Sequence, residues 1–490
     1  PSSTLQRMEL LKTGYMGTLS LGWDNYLFLE LTGRQERSST LKDQSFFYPS
    51  ANLSFLFTQA FHMPSWWNYG KLRLSYGIVG NAPETYTANI VYEQGSDNGF
   101  TWNTIPSSWG NADIHPEKKY EYEIGLESKF LNNRLGIDIS YYNNRVKDQI
   151  LSTPQPSTSG VKNVLMNVGE VANHGWDISI SATPILTRDF RWDLTANYGV
   201  YKNKVVKLAD GVPYLEILNS GGSGIKIQAV EGQPMGDIYA QVPQVNENGE
   251  YLVSDKGLYL NQTELQKVGN INPAGVGGLF NSFSYKNVFL DFSIDFRIGG
   301  DVINEMNQYA TAVGLTPESL KYRDTEHGGL SYYYPGDNNS SGIPVQVDPS
   351  TGAGPNGEII YHDGIILPGV VASTGERNTR IIPAGYYYNT TYNWGTEAEQ
   401  LTYRHSVFDN SYVKLRELTI GYQFPEKMIS KLGLGRLSVS VFGRNLFYFY
   451  KALKNYDAES SVGTSWANQA TVGSSTTATR SFGVSLRASF

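Results

Sequence analysis

Asp324-Thr325-Glu326-His327 sets two carboxylates beside an imidazole, the residue types of a metal or acid–base site. No second set of ligands follows at regular spacing, and the 6 histidines are too scattered for a zinc site. Gly221-Gly222-Ser223-Gly224 puts a serine among glycines, but without the Gly-x-Ser-x-Gly spacing that lifts a nucleophile onto a strand-to-helix elbow. His-Glu-x-x-His and the phosphate-cradling P-loop are absent. With 0 cysteines, thiolate metal sites, disulfides and Cys nucleophiles are excluded. The sequence points neither to an enzyme nor to a cofactor. What it offers instead is aromatic surface: Trp102 and Trp109, Tyr332-Tyr333-Tyr334, and Tyr386-Tyr387-Tyr388. Flat rings with a polar edge stack on sugar faces or peptide groups, which makes these eight the candidate ligand contacts. Loop packing or contact with a partner chain would use the same residue types.

The elements that must hold these clusters follow from hydropathy. In Val288-Phe289-Leu290-Asp291-Phe292-Ser293-Ile294-Asp295-Phe296-Arg297-Ile298 every even position is apolar, and Asp, Ser, Asp and Arg fill the odd positions after Phe289. A helix would scatter these residues round its circumference, whereas a strand puts them on opposite faces. Thirteen such segments are legible, near 15–23, 26–34, 50–58, 70–79, 119–130, 134–150, 165–183, 190–207, 279–285, 288–298, 403–424, 436–450 and 479–490. Leu415 followed by Leu418 and Ile420 slips the phase and predicts a bulge. Helix is expected only as short turns near Phe61–Trp67 and Glu426–Lys431.

The 490 residues carry a net charge of −7, with 17% charged and 40% apolar. Apolar content at that level excludes wholesale disorder, and the lack of a basic block gives no footprint for nucleic acid. No stretch of about 18 apolar residues exists, so no transmembrane helix is expected. A membrane-spanning strand needs only about ten residues, every second one apolar. Connections alternate between short turns (Asp24-Asn25, Leu131-Asn132-Asn133, Lys286-Asn287) and long loops near 80–118, 208–278, 299–402 and 451–478. Short turns on one side and long loops on the other are the pattern of an outer-membrane barrel embedded in lipid. Thirteen strands ending on the short-turn side start from the long-loop side, as the C-terminal part of a larger barrel would. The expected class is therefore all-β: a transmembrane antiparallel β-barrel, with residues 1–490 as its C-terminal portion. A passive porin complete in about fourteen strands is the alternative. A soluble β-rich binding protein fits less well, because no repeat of about 40 residues is found.

Several motifs carry a family resemblance. Asn111-Ala112-Asp113-Ile114-His115-Pro116-Glu117-Lys118 runs into Tyr122-Glu123-Ile124-Gly125-Leu126-Glu127. Asn167-Val168-Gly169-Glu170-Val171-Ala172-Asn173-His174-Gly175-Trp176, Glu231-Gly232-Gln233-Pro234-Met235-Gly236-Asp237-Ile238-Tyr239 and Gly269-Asn270-Ile271-Asn272-Pro273 follow. Phe283-Ser284-Tyr285-Lys286-Asn287, the stretch Tyr412–Tyr422 and Gly443-Arg444-Asn445-Leu446-Phe447 complete the order. Together they resemble the SusC/RagA family of TonB-dependent outer-membrane transporters. The resemblance implies a 22-stranded barrel and an N-terminal plug and TonB box, neither visible in this chain. It also implies coupling to the TonB complex and a SusD-like surface lipoprotein as lid, with a possible dimer of such pairs. The implied cargo is an oligosaccharide, or a peptide in some members. Phe490 resembles the terminal aromatic of the barrel sorting signal. The family's acidic loop is replaced here by Ser254-Asp255-Lys256-Gly257-Leu258-Tyr259, so no calcium or other metal is expected. Asp291, Asp295, Arg297, Arg191, Asp193 and Arg487 are expected to face a polar lumen and to pair there, and Trp66-Trp67 to belong to an interfacial girdle.

Overall fold

Alternation of apolar and polar residues builds one large antiparallel sheet. In the computed structural model of the chain, thirteen long strands pair each with its neighbour in sequence. They are β1 (Lys12–Trp23), β2 (Leu27–Ser38), β3 (Ser45–Phe55), β4 (Trp67–Asn81), β5 (Glu117–Phe130), β6 (Leu135–Lys147) and β7 (Glu170–Leu186). The series continues with β8 (Phe190–Lys207), β9 (Gly275–Tyr285), β10 (Val288–Ile298), β11 (Tyr412–Gln423), β12 (Arg436–Lys451) and β13 (Ser481–Ser489). The structure describes residues 8–42, 45–89, 91–97, 99–154, 157–220, 224–336, 342–393, 402–461, 463, 465–473 and 478–489. Phe490 and Gly221-Gly222-Ser223 lie outside the described residues.

Residues directly opposite one another in an antiparallel sheet share a face, so the register reads out both surfaces. One row runs Leu21, Leu29, Leu53, Leu74, Ile124, Tyr141, Trp176 and Val200 across eight strands. The adjacent row is Ser20, Glu30, Asn52, Ser75, Glu123, Tyr142, Gly175 and Tyr201. On the apolar face Leu21, Ile124, Trp176, Ile420, Val441 and Val484 are all exposed. A wide apolar surface backed by a polar one is a wall between lipid and a wet lumen. Trp66 stacks with Trp67 and with Phe130 near the turn that follows β5, and Trp67 meets Phe130 at a tilt, the amphipathic grouping expected at a membrane edge.

All thirteen predicted strands are present in the predicted order, with boundary differences that have physical causes. The expected strand 165–183 is divided at Gly169, whose φ of +95° ends the short Asn163–Asn167 strand before β7 begins. The expected strand 403–424 begins as a 3-10 turn, Tyr403–Ser406, and the barrel strand starts only at Tyr412. The bulge is real: Ile294 pairs with Leu415 and Ser293 with Glu417, leaving Arg416 without a partner in the ladder. Asp24 and Asn25 both take positive φ, as a tight two-residue hairpin requires. Of the two expected short turns, the second is present as helix Glu426–Ile429, whereas the first is helical at Phe57–Ala60, ahead of the expected Phe61–Trp67. Two longer helices were not expected, α1 (Glu305–Ala312) and α2 (Ala384–Tyr392); both lie in the longest connection.

Close crossing of side chains explains two motif glycines. Arg73 on β4 passes over Gly125 on β5 to reach Asp138 on β6, with Nη2 to Oδ1 at 2.6 Å and Nη1 to Oδ2 at 3.1 Å. A Cβ at Gly125 would sit 2.8 Å from that guanidinium. At Gly175 it would sit 2.5 Å from the Tyr142 hydroxyl and 2.4 Å from the Val200 carbonyl. Gly175→Val should therefore cost ~1–3 kcal/mol by overpacking. The expected outcome is a lower temperature for loss of the compact band in unboiled gel electrophoresis, and an unchanged transition would contradict this account.

Candidate functional site

The apolar core of this protein lies mostly outside the sheet, in the long connections. Ile225, Ile227, Ile238, Ala240, Ile271, Ile303, Tyr403 and Val407 form one buried cluster there. Leu258, Ile365, Leu367 and Ile382 form a second. Two small sheets frame them: Tyr214–Ser220, Ile225–Val230, Asp237–Ala240 and Gln266–Asn270 in one, and Val345–Gln346, Leu330–Tyr333, Tyr361–Ile365 and Ile382–Pro383 in the other. The long loops thus form a folded layer on one end of the wall.

The quoted motifs fasten that layer to the wall. Asn270 donates to Asp237 at 2.7 Å, Asn272 donates to the Met235 carbonyl at 2.7 Å, and the Tyr201 hydroxyl of β8 donates to Asn272 at 2.7 Å. Asn203 of β8 accepts from the Met235 amide at 2.8 Å. Asn167 exchanges hydrogen bonds with the His115 backbone, at 2.9 and 2.7 Å. At the bulge, Arg416 reaches Asp295 at 2.5 Å, Asn445 at 3.0 Å and Glu459 of the last long loop at 2.9 Å. Lys414, almost fully buried, meets the same Glu459 at 2.5 Å. Burial alone would raise the Glu459 carboxyl, but the hydrogen bonds from Arg416 and Lys414 hold it down at about 2.

The expected pairing of lumen charges is present for Arg191 with Asp193 and for Asp295 with Arg416. Asp291 accepts from Ser282 at 2.6 Å, and Arg297 donates to the carbonyls of Gly299 and Ile271. Asp324 and His327 meet at 2.8 Å on the exposed surface, and among the described residues no group of three metal-ligating side chains gathers.

The eight candidate aromatics separate into different settings. Trp102 is exposed on the hairpin of Glu93–Asp97 and Phe100–Thr104, lying over Gly95. Trp109 pairs its strand with Asn163–Asn167 and meets Tyr92 edge-on at 6.0 Å. Tyr332 and Tyr334 are buried against Tyr361 and Ile381, and the Tyr332 hydroxyl donates to Asp363 at 3.1 Å. Burial first, then Asp363 beside it, pushes the Tyr332 phenol upward. Tyr333 is half-buried beside them. Tyr386 lines a cavity of about 320 Å³ that Tyr334 also borders.

Tyr387 and Tyr388 come together at a larger cavity of about 490 Å³, walled also by Tyr259, Tyr322, Tyr392 and Leu330, with Glu318 and Lys321 among its lining. α2 positions three of these rings: Tyr387 and Tyr388 lie 5.2 Å apart, and Tyr388 and Tyr392 5.6 Å. Tyr388 is tethered by its hydroxyl, which donates to the Glu318 carbonyl at 2.8 Å, and Arg323 lies 5.3 Å from its ring. Burial, then Tyr392, raises the Tyr388 phenol to about 12, so it stays protonated and able to donate. Beneath the rings His405 stacks on Tyr392 at 4.3 Å. Tyr259, Tyr322, Tyr392 and His405 stand singly in the sequence, so a search for runs of aromatics misses them. Ring faces and polar groups set round a cavity in this way suit stacking and hydrogen bonding.

Comparison with known proteins follows the same line. The family model described as "TonB dependent receptor-like, beta-barrel" matches residues 12–230. The chain is 24% identical over 92% of its length to the TonB-dependent receptor P3 of Formosa agariphila, and 30% identical over 46% of its length to the TonB-dependent receptor SusC of Bacteroides thetaiotaomicron. It spans 42% and 24% of those relatives respectively. The solved structure of the RagAB peptide transporter shares the fold, with a TM-score of 0.62 at 19% identity over 90% of this chain and 44% of that one. Sheet, polar inner face and matches together define the class, an outer-membrane β-barrel similar to those of TonB-dependent receptors. Over part of its length the chain is thus similar to SusC, and its strands share the fold of the RagAB transporter.

One pH response follows from the base of the cavity. Burial, and then the neighbouring Arg404 guanidinium, pushes the His405 imidazole from 6.5 down to about 4. The folded loop layer holds His405 neutral, so its stability is full above about pH 6.5. As pH falls from there towards 4, the unfolded chain takes up the proton first and stability drops, by up to ~1.4 kcal/mol per pH unit. Hydrogen exchange of residues 384–409 should speed up over that window, and His405→Phe should flatten the response. A profile identical in wild type and variant would refute this role.

Proposed function

We propose that this chain is the C-terminal part of an energy-coupled outer-membrane importer, and that its cargo is an oligomer, a glycan in the first instance. The observation that carries this is the pairing of a polar-lined wall with a folded loop layer that holds an open tyrosine-rich cavity. Its chemistry is binding and passage, with no bond made or broken. Tyr259, Tyr322 and Tyr387 offer ring faces to a sugar, and Tyr388, its hydroxyl held by the Glu318 carbonyl, fixes the wall between them. Residues outside this chain supply the plug and the contact to the TonB complex, and a SusD-like surface lipoprotein closes the loop layer, with a dimer of such pairs as the larger assembly. A second reading, peptide cargo, draws support from the fold shared with the RagAB peptide transporter.

The test is uptake of labelled oligosaccharides and peptides by cells with and without the full-length protein, with the TonB system intact or de-energised. Glycan uptake that needs both the protein and energy is the expected result. Uptake that persists without energy would favour the passive porin. Tyr322→Ala and Tyr387→Ala should each weaken cargo binding roughly two- to tenfold, the scale of one lost stacking contact of ~0.5–1.5 kcal/mol. Unchanged binding in both variants would remove the cavity from the cargo path.

A further inference from the structure

A second cavity, of about 500 Å³, lies at the loop end of β11 and β12, bounded by the last long loop. Its charged lining is Lys414, Lys451, Arg480 and Asp457, with Tyr448 and Tyr456 among its rings. Tyr412 and Lys451 are in register, and Arg297 is in register with Tyr412, so Lys451 stands on the polar face of the wall, at its outer mouth.

The charges here do not cancel. Arg416 is satisfied by Asp295 and Glu459, and Lys414 by Glu459. The oxygens of Asp457 are taken up by the Tyr448 hydroxyl at 2.5 Å, the Glu459 amide at 3.1 Å and the Ala478 amide at 3.1 Å. Lys451 is half-buried. It donates to the Tyr456 carbonyl at 2.6 Å and lies 5.2 Å from the Tyr448 ring centre, and neither it nor Arg480 forms an ion pair among the described residues. The cavity's own lining thus sets three cations, Lys414, Lys451 and Arg480, against one carboxylate, Asp457, both of whose oxygens already accept hydrogen bonds. A half-buried ammonium and a guanidinium with donors to spare, beside aromatic rings in a cavity, suit an oxyanion carried on an amphipathic body.

We propose that this cavity is a subsite for the carboxylate of an acidic glycan, with Lys451 and Arg480 as its cationic contacts and the Tyr448 and Tyr456 rings against the sugar. It rests on the glycan reading above and narrows it to cargo that carries uronate groups. The charges at the mouth then select acidic over neutral oligomers before the tyrosine cavity engages them.

The experiment uses the full-length protein in detergent and titrates it calorimetrically with oligomers of acidic polysaccharides and with the same oligomers after carboxyl reduction. That pairing changes the charge and leaves length and linkage alone. Wild type should bind the acidic member of a pair roughly tenfold more tightly at low salt, with the preference shrinking as salt rises. Lys451→Gln and Arg480→Gln should each lose most of that preference while keeping the affinity for the reduced oligomer; Lys451→Arg should retain it. Arg480 is exposed, so its variant tests the subsite even if the Lys451 variant fails to assemble. Equal binding of both members, or a preference that survives both Gln variants, overturns the subsite and leaves the glycan importer standing. Binding of acidic peptides in place of every oligomer, or no oligomer binding at all, overturns both.

Discussion

Inside a bilayer there is no water to satisfy a backbone N–H or C=O, and a sheet can cross only if every such group pairs with a neighbouring strand. The rest of this structure follows from that constraint. Each of the thirteen strands pairs with the next in sequence, and the side chains are left one apolar face and one polar face. A wall organised this way has no interior in which to bury a conventional core. The buried apolar residues accordingly gather in the connections, where Ile225, Ile227, Ile238 and Ile303 pack as they would in a soluble domain. Sidedness comes from the same source: short turns cannot carry a folded layer, and long connections must.

Attaching a folded layer to a sheet without disturbing its ladder takes polar side chains at the strand ends. Tyr201 and Asn203 extend hydrogen bonds from β8 into the segments around Met235 and Asn272. Arg416 does the same from a bulge that frees it from the ladder and aims it at Glu459. The motifs that carry the family resemblance are largely these clasps, together with glycines such as Gly125 and Gly175 that let a long side chain cross a strand. Their physical role is to fix the loop layer relative to the lumen.

Within the layer, packing places tyrosines that look alike in sequence in different surroundings. Tyr332 and Tyr334 are enclosed with Tyr361 and Ile381, and their rings serve as core. Tyr387 and Tyr388 sit one residue apart on a short helix, so their rings splay to adjoining parts of one cavity wall. The helix itself is secured through the buried Tyr388, which donates to the Glu318 carbonyl, and through Tyr392, which stacks on His405. Tyr387 and Tyr392 are half-buried, and their rings border the cavity.

The sequence by itself determined the wall. Period-2 alternation is a local signal, and it placed thirteen strands in order, located the bulge near Leu415 and separated the short turns from the long connections. It also named Tyr387 and Tyr388 as candidates, because adjacent aromatics are conspicuous. It could not separate them from Tyr332 and Tyr334, nor bring in Tyr259, Tyr322 and His405, which stand far apart along the chain. Nor did it reveal α1 and α2, whose hydropathy lacks a clean helical stripe: α1 buries Asn307, Gln308 and Thr311 and leaves Met306 and Tyr309 exposed. A strand's face is fixed by its own alternation, whereas a loop side chain is buried or open according to what distant segments pack against it. Only the tertiary structure decides that.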